Sequence, residues 1–182
     1  MTDKDLEARR AAWQHRGQAR PDFAVAPGPG QESVWDYPRP PAYATDDRRV
    51  EIRAGGRILA EGPYSIRVLE TGSPPAFYLP PEAFDDALLR ASPVRTFCEW
   101  KGEAEYFDVV TEEGVIEAAV WTYRAPLSGA ESIAGWRSCY PERIECYVGG
   151  ESIDAQAGTY YGGWVTRELV GPWKGEPGTG HW

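Results

Sequence analysis

Apolar and polar residues alternate over short stretches of this chain, and glycine or proline interrupts the alternation before it grows long. Val50 to Ala60 alternates around Gly55-Gly56, the pattern of two strands joined by a tight turn. Ile144 to Ile153 repeats it around Gly149-Gly150. Tyr64 to Glu70 sets Arg67 outward between apolar Ile66 and Val68, a further strand. Arg95 to Trp100, Glu105 to Val110 and Val115 to Tyr123 form a meander that turns at Glu112-Glu113-Gly114. Helical signals are confined to two places. Asp3 to Arg16 is rich in Ala, Glu and Arg, with Leu6, Ala11 and Trp13 as a weak apolar stripe and Thr2 or Asp3 as its cap. Glu82 to Leu89 follows Pro80-Pro81, which suits a first helical turn and cannot sit in a central strand. The pattern predicts about eight to ten short strands and no βαβ unit, hence a mainly β, antiparallel domain with a short N-terminal helix.

Composition narrows this. A chain of 182 residues suits one domain, and 16 Pro and 20 Gly keep its apolar runs short. Between Arg20 and Gln31, Pro21, Pro27, Gly28, Pro29 and Gly30 read as a linker. Residues 1–32 are therefore expected to be a helix and Pro/Gly linker that docks loosely or acts between subunits of a homo-oligomer, and residues 33–182 a single domain. A net charge of −9 without a basic stripe argues against nucleic-acid partners. No apolar run reaches the roughly 18 residues of a membrane span and no signal-peptide core is present, so a soluble cytoplasmic protein is expected. Cys98, Cys139 and Cys146 form no CxxC pair and both histidines lie near the ends, too few ligands for a tetrahedral zinc site unless carboxylates complete it.

Trp-Lys-Gly-Glu occurs twice, at Trp100 to Glu103 and at Trp173 to Glu176, and holds two of the three lysines in a chain that otherwise uses arginine. Other pairs keep the same order. Val34-Trp35-Asp36-Tyr37 is echoed by Val120-Trp121-Thr122-Tyr123, Val50-Glu51-Ile52 by Ile144-Glu145-Cys146, and Phe77-Tyr78 by Tyr160-Tyr161. The spacing drifts as loop insertions would make it drift. An internal duplication is expected, giving one pseudo-symmetric domain of two related sheets.

Val34-Trp35-Asp36-Tyr37-Pro38-Arg39-Pro40, Phe97-Cys98-Glu99-Trp100-Lys101-Gly102, and Tyr161-Gly162-Gly163-Trp164-Val165-Thr166 leading to Gly171-Pro172-Trp173-Lys174-Gly175 together resemble the bacterial family of domain of unknown function 427. The resemblance covers about Ser33 to Trp182. It implies a tent of two antiparallel sheets, related to methionine sulfoxide reductase B and to the thalidomide-binding domain of cereblon. Those relatives hold zinc with two Cys pairs, which this chain lacks, so no metal role carries over. A nucleotidyltransferase label is sometimes attached to the family. Its chemistry needs a Gly-Ser turn followed by magnesium-binding carboxylates. Gly72-Ser73 with Asp85-Asp86 comes nearest, but Pro74, Pro75, Pro80 and Pro81 spoil the helix expected between them.

Candidate chemistry gathers on a few residues. Cys98 beside Lys101 would be a nucleophile or redox centre if the ammonium favoured its thiolate. In an extended strand the two face opposite sides, and a small buried core residue is the plainer reading. Lys101 and Lys174 could bind an anionic group or, if desolvated, carry an imine. Alternatively each stem lies over its own Trp100 or Trp173 and each ammonium pairs with Glu103 or Glu176 to staple the turn. Trp35, Tyr37, Trp100, Trp121, Tyr123, Trp164 and Trp173 offer an aromatic cage or plain core packing. Arg67 with Tyr78 and Tyr106 could hold an anion or lie on a solvated strand. The leading expectation is a small-molecule-binding β domain whose inter-sheet crevice is lined by aromatics and bears Lys101, Arg67 and Tyr106. No cofactor is evident, and the sequence does not decide between an enzyme, a binding domain and a protein-interaction domain.

Overall fold

Ten strands of three residues or more follow one another in the computed structural model, which describes residues 2–158, 160–179 and 182. They are β1 Ala42–Asp46, β2 Val50–Ala54, β3 Arg57–Gly62, β4 Ser65–Glu70, β5 Ser73–Tyr78, β6 Leu89–Cys98, β7 Gly102–Thr111, β8 Gly114–Thr122, β9 Arg137–Cys139 and β10 Glu145–Val148. Among the described residues the one α-helix is α1, Asp3–Ala11, closed at its start by a capping box between Thr2 and Asp5. It stops short of the expected Arg16.

The larger sheets are antiparallel. Their orders are β1-β4-β5, β6-β7-β8-β9, and β10-β2-β3, the last extended beyond β10 by Glu151–Ser152. Two further pairs are two residues long: Glu32–Ser33 runs parallel to Leu169–Val170, and Asp154–Ala155 antiparallel to Trp164–Val165. Three larger sheets thus form where two are expected. The chain leaves β3 at Gly62, and Pro63, which has no N–H to give a ladder, separates it from β4, which pairs with β1 instead.

Both Gly-Gly hairpins form where the alternation placed them, and they lie side by side because β2 pairs with β10, Val50 opposite Val148 and Ile52 opposite Cys146. Along β2, Val50, Ile52 and Ala54 are buried while Glu51 and Arg53 are not, so one face carries the core. Against that face pack Phe77 and Leu79 from the β5 end and Val109 and Val120 from the meander, with Trp164 among them. Each fully buried aliphatic or aromatic side chain here contributes about 1.5–3 kcal/mol.

Glu82 to Leu89 is not a helix. It forms two 3-10 turns, Pro81–Ala83 and Asp86–Leu88, and Leu89 already belongs to β6. Asp85 interrupts it, accepting the Ala87 N–H with its side chain while its own N–H bonds Leu59 O. Nor is Arg20 to Gln31 a loose tether. Phe23 stacks on Trp182 at 4.6 Å and meets Trp35 edge-on at 5.0 Å, and the Val25 N–H bonds Gly171 O. This fixes the N-terminal segment to the sheets and carries Trp13 to the site.

Candidate functional site

Between the β1-β4-β5 sheet and the meander lies a cavity of about 420 Å³. Strand alternation decides which side chains line it. Val68 and Glu70 of β4 and Ala76 and Tyr78 of β5 face in, whereas Phe77 joins the core on the other face. Thr96 and Cys98 of β6, Tyr106 of β7 and Trp121 of β8 face them, with Tyr123 just past the strand end. A bulge in β8 brings Ala118 to the same wall. Ala118 has φ 45°, a left-handed conformation costly for a residue with a Cβ, and its N–H is held by Asp108 Oδ1 at 2.9 Å. Arg90 in turn holds Asp108 at 2.9 Å.

The aromatic wall is cross-bonded. Trp121 Nε1 donates to the Tyr78 hydroxyl at 2.8 Å, the Thr96 and Tyr106 hydroxyls are 2.9 Å apart, and the Trp121 and Tyr140 rings lie 4.6 Å apart. Burial pushes the Tyr78, Tyr123 and Tyr140 phenols upward, so they stay neutral and can donate. Tyr160 and Val94 at the rim are exposed, which leaves the cavity open to solvent.

One end of the cavity is charged. Lys101 Nζ lies 3.5 Å from Glu70 Oε2, and Arg39 Nε lies 3.4 Å from Glu70 Oε1. The Arg39 guanidinium also donates to Thr71 O at 2.6 Å and His15 O at 3.0 Å. Trp13 covers this group. Its ring centroid is 4.1 Å from the Arg39 guanidinium carbon and 3.6 Å from Lys174 Nζ, and its Nε1 donates to the Glu99 carboxylate. Lys174 is only 1% exposed, with its backbone fixed by the Lys174 N–H to Gly72 O bond at 3.0 Å and the Gln156 amide to Lys174 O bond at 2.8 Å.

Electrostatics follow from this layout. Burial disfavours the Glu70 carboxylate, but Lys101, Arg39 and Lys174 outweigh it and hold Glu70 below the usual carboxylate range. Burial also opposes the Lys101 ammonium. Negative charge on Cys98, on Glu70 and, at high pH, on the Tyr123 and Tyr78 phenols overcomes that and holds Lys101 well above its ordinary range. Lys174 moves the other way. Burial first, then the Arg39 guanidinium, bring it down to about 7, with Glu70 and Glu99 only partly offsetting them.

The structure brings together Cys98, Lys101, Tyr78, Tyr106, Trp121, Tyr123 and Lys174 around one cavity. Three expected residues stand apart. Arg67 faces away from Val68 and pairs with Glu32 and Asp46, its guanidinium also contacting the Tyr37 hydroxyl. Trp164 is fully buried in the core, stacked on Phe77 at 5.2 Å and donating to Cys139 O. Trp100 is buried outside the cavity, beneath the Arg10 guanidinium. Nor do Trp35 and Tyr37 join a cage, since both pack with Val34 and Leu169.

The staple reading of the lysines is overturned: Lys101 pairs with Glu70, not Glu103, and Lys174 lies over Trp13, not Trp173. Cys98 and Lys101 do not diverge across a strand, because β6 ends at Cys98 and the turn through Glu99 and Trp100 returns Lys101 to the same cavity. Glu70, Trp13 and Tyr140 escaped sequence reasoning. Glu70 had a usable signal, its place two residues after Val68 on the same strand face.

Cys139 and Cys146 sit in the core with Sγ atoms 3.4 Å apart, away from Cys98, and no group of three or more potential metal ligands occurs among the described residues. Asp85 and Asp86 engage Arg57 and Arg137 and do not line the cavity with Ser73. No helix among the described residues is long and apolar enough to cross a membrane. Compared with known families, residues 42–150 match the profile described as a domain of unknown function, DUF427. None of the curated proteins matches the chain.

Proposed function

The chain belongs to the DUF427 family, and within it we propose that this protein binds a small molecule carrying an anionic group and a planar apolar body in the cavity between β4-β5 and the meander. The observation that supports this most directly is the imbalance at the charged end. Lys101, Arg39 and Lys174 face the two carboxylates of Glu70 and Glu99, so cations outnumber anions there whenever Lys174 holds its proton. An anion entering from the cavity would complete that charge set in a partly desolvated place, where such a contact is stronger than in water. Tyr78, Tyr106, Trp121 and Tyr123 supply ring faces and neutral hydroxyl donors for the rest of the ligand. Arg67, Trp100 and Trp164 have no part in it.

The same reading takes the fold as a tent of antiparallel sheets produced by internal duplication. In its favour, β2 and β10 pair about a local two-fold, and both Trp-Lys-Gly-Glu glycines adopt positive φ, +100° at Gly102 and +120° at Gly175. It also places the protein in the cytoplasm, with neither nucleic acid nor membrane as partner, in keeping with its charge of −9.

Native mass spectrometry of protein purified gently from its own host tests the binding reading. The expected result is an additional mass, lost on denaturation, that is absent from Lys101→Met. A bare chain, together with no thermal shift from a panel of aromatic carboxylates, would overturn it.

A further inference from the structure

Lys101 and Lys174 reach the same cavity in different chemical states. Lys101 has a carboxylate at 3.5 Å. Lys174 Nζ makes no hydrogen bond or ion pair to any described residue, although it faces the cavity and its side chain is almost wholly removed from water. The Trp13 ring face lies 3.6 Å from it, a cation–π partner that favours an ammonium only weakly and brings no carboxylate to hold the proton. The groups facing it are Arg39 and Lys101, which repel an ammonium, and Glu70 and Glu99, which attract one but are committed elsewhere.

We infer that Lys174 is a nucleophile that forms an imine with a small 2-oxo acid bearing an apolar or aromatic substituent. The inference rests on the binding reading above and deepens it: the carboxylate of the ligand lies against the Lys101 ammonium, its ring lies against the wall formed by Tyr78, Tyr106 and Trp121, and its carbonyl carbon meets Lys174 Nζ. The step needs no oxidant or reductant. The neutral amine attacks the carbonyl carbon, an N–C bond forms and a proton passes from nitrogen to oxygen, giving a carbinolamine. That oxygen then leaves as water, taking a proton from solvent at the open rim, and the nitrogen lone pair closes the C=N bond. With its ammonium brought down to about 7, Lys174 has at neutral pH a neutral fraction roughly a thousandfold above that of an unperturbed lysine. A residue that must be a free base to react therefore has one available.

The chain is well suited to the test because it has only three lysines, Lys4, Lys101 and Lys174. The intact protein is incubated with phenylpyruvate at pH 7, with and without sodium cyanoborohydride, and the reduced adduct is located by peptide mapping. Binding is followed separately, without reductant, by tryptophan fluorescence. The expected result is one adduct per chain, on Lys174, exceeding that on Lys4 by about tenfold or more, and its loss in Lys174→Met. Because the mapping is done on the unaltered protein, the outcome does not depend on that variant folding. Adduct spread over Lys4 and the α-amino group as in the urea-unfolded chain, or concentrated on Lys101, overturns the inference. Saturable fluorescence change with no adduct on Lys174 overturns the imine and leaves the binding reading standing; absence of both signals overturns the two together.

Discussion

The two Trp-Lys-Gly-Glu turns share four residues and a left-handed glycine, yet they set their lysines in opposite electrostatic states. At Gly175 the constraint is severe, since a Cβ would come 1.7 Å from Ala157 O, and at Gly102 it would press on Leu127 at 3.3 Å. The backbone solution is therefore common to both turns, and what differs is the facing group. Glu70 faces Lys101 and keeps it charged; an indole faces Lys174, and burial drives it toward the free base. The tetrapeptide fixes where an amine goes, and a residue far away in sequence decides what that amine is.

The strongest way to break this contrast is Glu70→Gln, which leaves Lys101 and Arg39 without their carboxylate. A loss of about 3–5 kcal/mol is expected from urea denaturation at pH 7, and an unchanged midpoint would mean that Glu70 does not set the charge balance. Lys101→Met comes next, since it leaves Glu70 with one counter-ion fewer; about 2–3 kcal/mol should be lost in the same measurement.

Lys174→Met should act in the opposite direction. When the chain unfolds, Lys174 regains its ordinary value near 10.5, so between that value and about 7 the unfolded state binds a proton that the folded state does not. The wild-type protein should accordingly gain stability as pH rises through this window, and below it the folded state carries the full cost of a buried ammonium. The methionine variant should be about 1–2 kcal/mol more stable than wild type at pH 7, after allowing for the lost Trp13 contact. Its advantage should shrink toward pH 10. Equal slopes for the two proteins between pH 7 and 10 would show that Lys174 is an ordinary ammonium. The smallest effect is expected of Trp13→Ala, about 1 kcal/mol in thermal unfolding, because the ring is half-exposed and Arg39 keeps its bonds to Thr71 O and His15 O.

What could be read from the sequence follows from where each residue sits on its strand. Hairpins about Gly55-Gly56 and Gly149-Gly150 were legible because alternation and turn chemistry agree there. Trp121 and Tyr123 were read as cage residues and Tyr78 and Tyr106 as partners of Arg67, and it is the pairing of the sheets, not local pattern, that sets the four around one cavity. Arg67 was misassigned by a single step of that period: Val68 and Glu70 own the cavity face, and Arg67 must look the other way. Lys101 was separated from Cys98 only by extending β6 two residues too far, to Trp100. Trp13 showed only as part of a weak helical stripe, since the helix ends at Ala11 and the segment beyond it is positioned by contacts to Glu99 and Arg39, which no local pattern encodes.

The charged end draws on positions 13, 39, 70, 101 and 174, nearly the whole length of the chain, whereas the family profile spans 42–150. A protein sharing only that central stretch would inherit Glu70 and Lys101 as a closed ion pair. The unpaired amine, the buried guanidinium and the indole over them are contributed by the flanks. Trimming this chain to its recognisable middle would keep much of the sheet structure and the salt bridge but discard the group that makes the cavity reactive.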